Sequence, residues 1–373
     1  MLKIVHIAPT DLPLGGGERY VHELARALSE FAVVTLITFA SKKETLKVSN
    51  RFTIKRYPSL TLLGKHSLFS VANPLPLSLD FFKDIANADV VHIHGFRTMV
   101  CCLAIFFSRL KNKLLCLTDH GGGPFKIASW IPFFGKSIDI CLMQSSMQSS
   151  YIYKKLFRVY GTEYRIIGGG VDLQNFYPRI DAKANRVLFS GRVIPLKGVD
   201  ILVNAIQDLD IELRIATPII DSRYLHAIRV IDTNKKISLK FKPSDEELAK
   251  EYSSALVTVL PAVDTDHKGR RYVPEGFGLV LIESMACGTP VICTDVGAMP
   301  EVVENGVTGF VVRSGDHKAL QEKIKYFLEK PEESFRMGRN GKRTVLRRYT
   351  WRAVAELCIE SYLYGLKKKH ALC

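Results

Sequence analysis

The sequence predicts an α/β protein built from two doubly wound domains of parallel sheet. Near the N-terminus, the apolar strand Ile4–Ala8 leads through a glycine-containing loop into a helix that begins near Glu18, which is how such a domain opens. The same order of strand, glycine turn and helix begins again at Arg186. The length of 373 residues also favours two domains over one. We therefore predict a first domain over residues 1–178 and a second over residues 186–350.

Short apolar segments separated by turns predict the strands of both domains. In the first domain these segments are Ile4–Ala8, Val33–Phe39, Arg51–Tyr57, Asp89–Ile93, Lys113–Leu117, Ile138–Met143 and Tyr164–Ile167. In the second domain they are Arg186–Ser190, Glu212–Ala216, Ile237–Phe241, Leu256–Leu260, Val291–Thr294 and Phe310–Val312. Closing helices are expected near residues 316–328, 332–348 and 351–368. Residues 58–78 show little periodicity, which predicts a loop.

The composition is that of a soluble globular protein, with 47% hydrophobic and 24% charged residues. The formal net charge of +15 favours anionic partners; a basic surface kept for solubility is the alternative. The eight cysteines form no Cys-x-x-Cys pair, which indicates buried thiols in a reducing compartment and no zinc site. The N-terminal strand lacks the layout of a signal peptide, and the longest apolar run, Met99–Phe107, is too short to span a bilayer. These features predict a cytoplasmic protein.

Two cations flank the turn that follows the first strand of the second domain. Arg192 and Lys197 lie between that strand and a helix, so both can reach one anion near the start of the helix. Arginine offers a bidentate hydrogen-bonding group and lysine a point charge, which together suit a diphosphate. The alternative is that both residues are ordinary surface cations.

The stretch from Pro274 to Val291 combines glycines, a helix and two carboxylates. Glycines before a helix let the backbone approach a ligand, and the first free N–H groups of the helix suit a phosphate. Glu275 precedes the helix and Glu283 lies within it, so the two carboxylates can reach different ends of one extended ligand. Carboxylates accept hydrogen bonds from hydroxyls, which points to a polyhydroxylated molecule with phosphates. The alternative is a capped helix with one solvated and one salt-bridged glutamate.

His120 and the glycine loop Gly15–Gly17 are the candidate ligand groups of the first domain. Both follow strands at the edge where open α/β sheets bind ligands, although a lone histidine is often structural. We expect His92 in the core and leave the role of His94 open. The pair Asp264 and Asp266 is weak support for a metal site because cations surround it.

The ordered set of motifs resembles the retaining nucleotide-sugar glycosyltransferases of family 4, which have the GT-B fold. The match covers almost the whole chain, and its strongest motif is the pair of glutamates eight positions apart. The motifs that carry it are Gly15-Gly16-Gly17-Glu18, Asp89–Gly95, Thr118-x-His120, Gly170-Val171-Asp172, Gly191-Arg192…Lys197-Gly198 and Glu275…Glu283.

The resemblance implies two Rossmann-like domains facing a cleft, with the last helix, residues 351–368, packing back on the first domain. It implies that Arg192 and Lys197 bind the donor diphosphate and that Glu275 holds the transferred sugar. Glu283 would hold the ribose hydroxyls, and His120 would lie near the donor sugar. The backbone groups expected to contact the donor are those of Gly16, Gly17, Gly276, Phe277, Gly278 and Leu279.

The expected activity is therefore retaining transfer of a hexosyl or related sugar from a nucleotide-diphosphate sugar to an acceptor hydroxyl. The donor is expected to be a UDP- or GDP-sugar, and neither a metal nor another cofactor is required. The acceptor is expected to be a glycan or a lipid-linked precursor, with contact between the protein and the inner face of an anionic membrane. The alternatives are a nucleotide-sugar epimerase or a phosphorylase on the same fold, or a non-catalytic sugar-nucleotide binder. Nucleic acid is not expected as a partner because no known binding module is present.

Overall fold

The computed structural model describes residues 1–9, 16–61, 74–95, 98–120, 137–146, 162–179, 183–265, 269 and 275–371. The chain divides into two units. The first comprises Met1–Gly170 with Trp351–Cys373, and the second comprises Val171–Thr350. Each unit contains one twisted, mainly parallel sheet with its own apolar core.

The sheet of the first unit has the strand order β3-β4-β2-β1-β6-β7-β8-β9, with β5 paired to β4. Its strands are β1 Lys3–Ile7, β2 Val33–Ala40, β3 Glu44–Lys47, β4 Phe52–Thr61, β5 Pro74–Pro76, β6 Val90–His94, β7 Leu114–Thr118, β8 Ile140–Met143 and β9 Glu163–Ile166. Only β3 and β5 pair antiparallel among these described strands. The chain leaves the central strand β1 toward β2 on one side and returns to β6 on the other, so the sheet reverses its order between β1 and β6. Ligands bind at such switch points in doubly wound sheets.

Helices cover both faces of the first sheet. The helices that precede the second unit are α1 Gly16–Leu28, α2 Phe81–Ala86 and α3 Met99–Leu110. The C-terminal helix, Trp351–His370, belongs to this unit and packs in one core with α1. Gly170 makes room for the first residue of that helix, since a Cβ there would lie 2.5 Å from the ring of Trp351.

The second unit has a fully parallel sheet in the order β12-β11-β10-β13-β14-β15. Its strands are β10 Ala184–Ser190, β11 Glu212–Thr217, β12 Ile237–Phe241, β13 Ala255–Leu260, β14 Val291–Thr294 and β15 Gly309–Val312. Its helices are α4 Val199–Ile206, α5 Ser222–Ile231, α6 Asp245–Ser254, α7 Leu279–Ala286, α8 Met299–Val302, α9 His317–Glu329 and α10 Pro331–Arg348, with a 3-10 turn at Pro195–Lys197. Counted within the unit this is the doubly wound order 3-2-1-4-5-6, with its switch point between β10 and β13.

The first unit ends at Gly170 rather than at residue 178, because the residues that follow pack in the second unit. The N–H of Val171 donates to the carbonyl of Tyr349 at 2.9 Å. Phe176 is fully buried in the core of the second unit. The N–H of Arg179 donates to Oγ of Ser253 at 3.1 Å.

Residues 58–78 do not form the uninterrupted loop that was predicted. Strand β4 continues to Thr61, and Pro74–Pro76 pairs with it in antiparallel register; residues 62–73 lie outside the described part of the chain. Proline is tolerated in a strand that lies at an edge, which makes such strands hard to recognise from sequence. Strand β3 was missed because all of its residues are exposed and it therefore lacks apolar alternation. Helix α6 was missed although Ser244 and Glu247 form a capping box at its start.

Within the described residues, no helix combines the length and the apolar character needed to cross a bilayer.

Candidate active site

The turn after β10 brings Lys197 to the switch point of the second sheet. Lys197 ends the 3-10 turn, and Gly198 follows it with a φ of 64°. A Cβ on Gly198 would lie 2.0 Å from the carbonyl oxygen of Pro261, the residue after β13. Only glycine therefore allows the turn to lie directly against the end of β13, which holds Lys197 at the carboxyl edge of the sheet.

Lys197 and Glu275 form an ion pair in the second unit. Nζ of Lys197 donates to Oε2 of Glu275, and the two side chains are only 12% and 18% exposed. Burial alone would raise the pKa of the Glu275 carboxyl. The charge and hydrogen bond of Lys197, together with the charge of Arg192, outweigh burial and lower that pKa below its usual value. Glu275 is therefore an ionised hydrogen-bond acceptor beside two cations.

The backbone of Glu275 is fixed by the loop that follows β14. The N–H of Ala298 donates to the carbonyl of Glu275 at 3.1 Å. Gly297 has a φ of 62°, and a Cβ on it would lie 2.1 Å from the same carbonyl oxygen. Gly297 was not predicted as a site residue, although it follows shortly after the carboxyl end of β14, the edge at which ligands bind in such sheets.

The segment before α7 also packs closely around Glu275. Gly278 adopts a φ of 84° at the N-terminal end of α7, and its backbone N–H hydrogen-bonds Glu275. Phe277 is buried, with its ring centroid 5.8 Å from that of Tyr349. Of the backbone donors expected to contact a ligand, that of Gly278 thus serves Glu275 in this structure. Pro274 lies outside the described residues.

Glu283 lies deeper in the second unit than Glu275. It is 6% exposed, and its Oε2 accepts a hydrogen bond from the Tyr252 hydroxyl at 3.0 Å. Burial and the neighbouring carboxylate both raise the pKa of Tyr252, so this phenol remains a donor. Tyr252 lies on α6 and was not identified from sequence, because no spacing rule connects it to a residue of α7.

The first unit brings Gly17 and His120 together. Gly17 lies in the first turn of α1, which begins at Gly16, and a Cβ on Gly17 would lie 3.3 Å from Cβ of His120. The ring of Tyr20 lies 4.9 Å from that of His120, and the Tyr20 hydroxyl donates to the carbonyl of Gly168 at 2.9 Å. Two other residues named from sequence, Gly15 and Asp266, lie outside the described part of the chain.

Family models match both halves of the chain. The model "Glycosyl transferases group 1" matches residues 172–344, and "Glycosyltransferase Family 4" matches residues 14–175. An uncharacterized glycosyltransferase of Methanocaldococcus jannaschii is 30% identical over 349 residues, which are 91% of this chain and 91% of that protein. A D-inositol 3-phosphate glycosyltransferase of Xylanimonas cellulosilytica is 26% identical over 98% of this chain and 97% of its own length.

Solved structures share the fold at low sequence identity. Sucrose-phosphate synthase of Thermosynechococcus elongatus matches with a TM-score of 0.74 at 20% identity, over 98% of this chain and 99% of that one. The Anabaena protein HepE, solved in complex with UDP and glucose, matches with a TM-score of 0.76 at 16% identity, over 97% and 99%. These likenesses show that the chain has the GT-B fold, as the motifs predicted. The chain belongs to the group 1 glycosyltransferases of family 4.

Proposed function

We propose that this glycosyltransferase moves a sugar from a UDP- or GDP-sugar to an acceptor hydroxyl with retention of configuration. The observation that carries the proposal is the Lys197–Glu275 pair with Arg192 beside it, at the switch point of the second sheet. The UDP and UDP-glucose complexes of HepE, which shares the fold, support a nucleotide-diphosphate sugar as the donor. The D-inositol 3-phosphate glycosyltransferases among the relatives support transfer to a hydroxyl.

The ion pair suggests how the donor is received. A diphosphate carries more negative charge than one carboxylate, so it competes with Glu275 for Lys197 and is attracted by Arg192 as well. Glu275 then becomes available to accept hydrogen bonds from sugar hydroxyls. In this proposal Glu283 holds the ribose hydroxyls, which requires that the ribose displaces the Tyr252 hydroxyl or shares the carboxylate with it.

The chemistry follows from where charge develops. The bond between the anomeric carbon and the leaving phosphate oxygen breaks, and the acceptor oxygen bonds to that carbon on the same face. The acceptor proton passes to the departing phosphate. Fixed cations at a leaving diphosphate are worth several kcal/mol in such a site. Because Lys197 and Arg192 supply that charge, we propose that transfer needs no metal and persists in EDTA.

The alternatives differ in what they consume and release. An epimerase would convert the nucleotide sugar without an acceptor, and a non-catalytic binder would release no nucleotide. Release of nucleoside diphosphate that requires an added acceptor excludes both.

The first test is a thermal-shift screen of the full chain against UDP, GDP, ADP and their sugars in EDTA. A ligand that binds only the folded state raises the melting temperature, and at 100 times its Kd it contributes about 2.7 kcal/mol. We expect a clear shift with one nucleotide. The shift should persist in Lys325→Ala, which changes an exposed lysine of α9, and should fall sharply in Lys197→Ala. Absence of any shift in the wild-type protein would overturn the donor assignment.

We propose further that the first unit contacts an anionic membrane that presents a lipid-linked acceptor. Leu60, Leu77 and Leu79 are more than half exposed on either side of residues 62–73, and the chain carries a net charge of +15. We expect the protein to sediment with phosphatidylglycerol vesicles at low salt, and the double variant Leu77→Glu, Leu79→Glu to sediment less. The control is Val230→Glu, at a site of the second unit that is at least as exposed as Leu77 and Leu79. Wild-type protein that stays in the supernatant would contradict membrane contact.

A further inference from the structure

Four histidines lie close together in the first unit, where β1, β6 and β7 end. His6 of β1 is opposite His92 of β6 in the parallel register, and His94 follows two residues later on the same face. His120 comes two residues after β7. His6, His92 and His94 are buried, and His120 is partly exposed.

Three of these imidazoles form a hydrogen-bonded chain. Nδ1 of His6 lies 2.7 Å from Nε2 of His94, and Nδ1 of His94 lies 3.0 Å from Nε2 of His120. Adjacent rings are nearly parallel, with interplanar angles of 17° and 15°. His94 therefore uses both of its ring nitrogens, one toward each neighbour.

His92 does not belong to this chain. The Thr118 hydroxyl donates its single proton to the carbonyl of Leu142 at 2.9 Å, so it accepts from Nε2–H of His92 at 2.8 Å. Nδ1 of His92 then accepts from the Tyr362 hydroxyl at 2.7 Å. His92 is a core histidine, as the sequence predicted, and both of its nitrogens are satisfied.

The same residues resemble a metal site in composition only. One nitrogen each from His6, His92 and His94 lies within 4.8 Å of the others. Metal ligands must direct free lone pairs at one point, whereas both nitrogens of His92 are used by Thr118 and Tyr362. The 2.7 Å separation between His6 and His94 is that of a hydrogen bond.

The hydrogen bonds that link His6, His94 and His120 can all run in either of two directions, and the burial of the two end residues selects between these two polarities. Burial lowers the pKa of His6 to about 3 and of His120 to about 4, so both rings are neutral at pH 7 and each carries one N–H. Nε2 of His6 and Nδ1 of His120, the two ends of the chain, have no partner within the described part of the protein. Both end nitrogens are buried, so either polarity leaves one N–H without an acceptor inside the described part of the protein. His6 is fully buried, whereas His120 is partly exposed and lies just after β7, at the edge where open α/β sheets bind ligands. If the protons point from His6 toward His120, the unpaired N–H lies at the end that a ligand can reach. The opposite polarity leaves an unpaired N–H in the core, which is costly.

We propose that His6 and His94 are positioning residues that hold His120 as its Nδ1–H tautomer, so that His120 donates a hydrogen bond to a ligand oxygen and does not act as a general base. The identity of that oxygen, a sugar hydroxyl or a phosphoryl oxygen, rests on the proposed function. Gly17 of α1 lies against the same ring and lacks the side chain that would cover it. A histidine side chain in water favours the Nε2–H tautomer. An Nδ1–H tautomer at His120 would therefore indicate that the protein selects it.

The test is a two-bond ¹H–¹⁵N spectrum of the full chain with ¹⁵N-labelled histidine at pH 7. We expect His6, His94 and His120 as Nδ1–H and His92 as Nε2–H, each assigned by single substitution. In His94→Leu, His120 should move toward Nε2–H while His92 keeps its signals, which reports an intact core. Wild-type His120 as Nε2–H would overturn the proposal even if His94→Leu fails to fold. A stoichiometric metal found by elemental analysis would overturn it as well.

Sugar-transfer activity of two His120 variants provides a second, independent test. An asparagine amide nitrogen occupies the place of Nδ1, whereas that of glutamine occupies the place of Nε2. We expect His120→Asn to transfer sugar within about tenfold of wild type and His120→Gln to lose about a hundredfold, the effect of a lost hydrogen bond to a charged or reacting oxygen. Equal activities would overturn the donor role. An inactive wild-type protein with the predicted tautomers would instead contradict the proposed function and leave the histidine chain intact.

Discussion

Lys197→Met is expected to lower kcat/KM for sugar transfer by about a hundredfold to a thousandfold, the loss that follows removal of one preorganised charge from a reacting oxyanion. Methionine preserves the length and the apolar stem of lysine, so the change removes mainly the charge. The same substitution leaves Glu275 without its ion-pair partner, and a partly buried carboxylate without a cation is costly. The measurement is the rate of acceptor-dependent nucleotide release at several donor concentrations.

The matched control is Lys325→Met, which removes a lysine of α9 that pairs with Glu329 on the protein surface. It should retain transfer, because a surface pair of this kind is worth less than about 1 kcal/mol. A kcat that falls in Lys197→Met, beyond any rise in KM, would mean that the charge acts in the transition state. Near-normal turnover in Lys197→Met would remove Lys197 from the site.

The same pair predicts a pH effect on stability. Lys197 and Arg192 lower the folded-state pKa of Glu275, so this carboxylate stabilises the folded protein above its unfolded pKa. The contribution is lost as the pH falls through the folded-state pKa. In Lys197→Met the pKa of Glu275 should rise, and this part of the acid dependence should therefore disappear from urea unfolding curves.

The elements that were predicted best are those that can be recognised from their own local sequence. The apolar run of β14 gave its bounds directly, because a strand that is buried in a parallel sheet is continuously apolar in sequence. Lys197 and Glu275 could each be named as candidates from the glycines beside them. Their direct ion pair could not be predicted, since it joins the ends of different strand–helix segments and depends on how closely the turns pack.

The site contacts that were not predicted are those in which a residue of one strand or helix holds a residue of another. Tyr252 reaches Glu283 from a different helix, and the role of His6 appears only when β1 pairs with β6. His94 was left open for the same reason, because its partners come from β1 and from the loop after β7. Such contacts follow from register and packing, which no local pattern encodes.

Gly297→Ala tests whether the loop after β14 holds the backbone of Glu275. The new Cβ would lie 2.1 Å from the carbonyl oxygen of Glu275, where no flexible side chain can move aside, and the φ of 62° is itself strained for alanine. We expect a loss of more than about 4 kcal/mol in the free energy of unfolding, in the range that marks a specific structural clash. Urea denaturation of purified protein measures it.

The control separates the clash from the backbone strain. Gly315 has a φ of 80°, but a Cβ there would meet nothing within 4 Å. Gly315→Ala should therefore cost only about 1 to 2 kcal/mol, the penalty of a left-handed conformation for an L-residue. Equal losses in the two variants would show that the loop after β14 does not hold Glu275. If Gly297→Ala folds at all, it should bind nucleotide more weakly than Gly315→Ala, because the Glu275 backbone must shift to admit the Cβ and the Lys197 pair shifts with it.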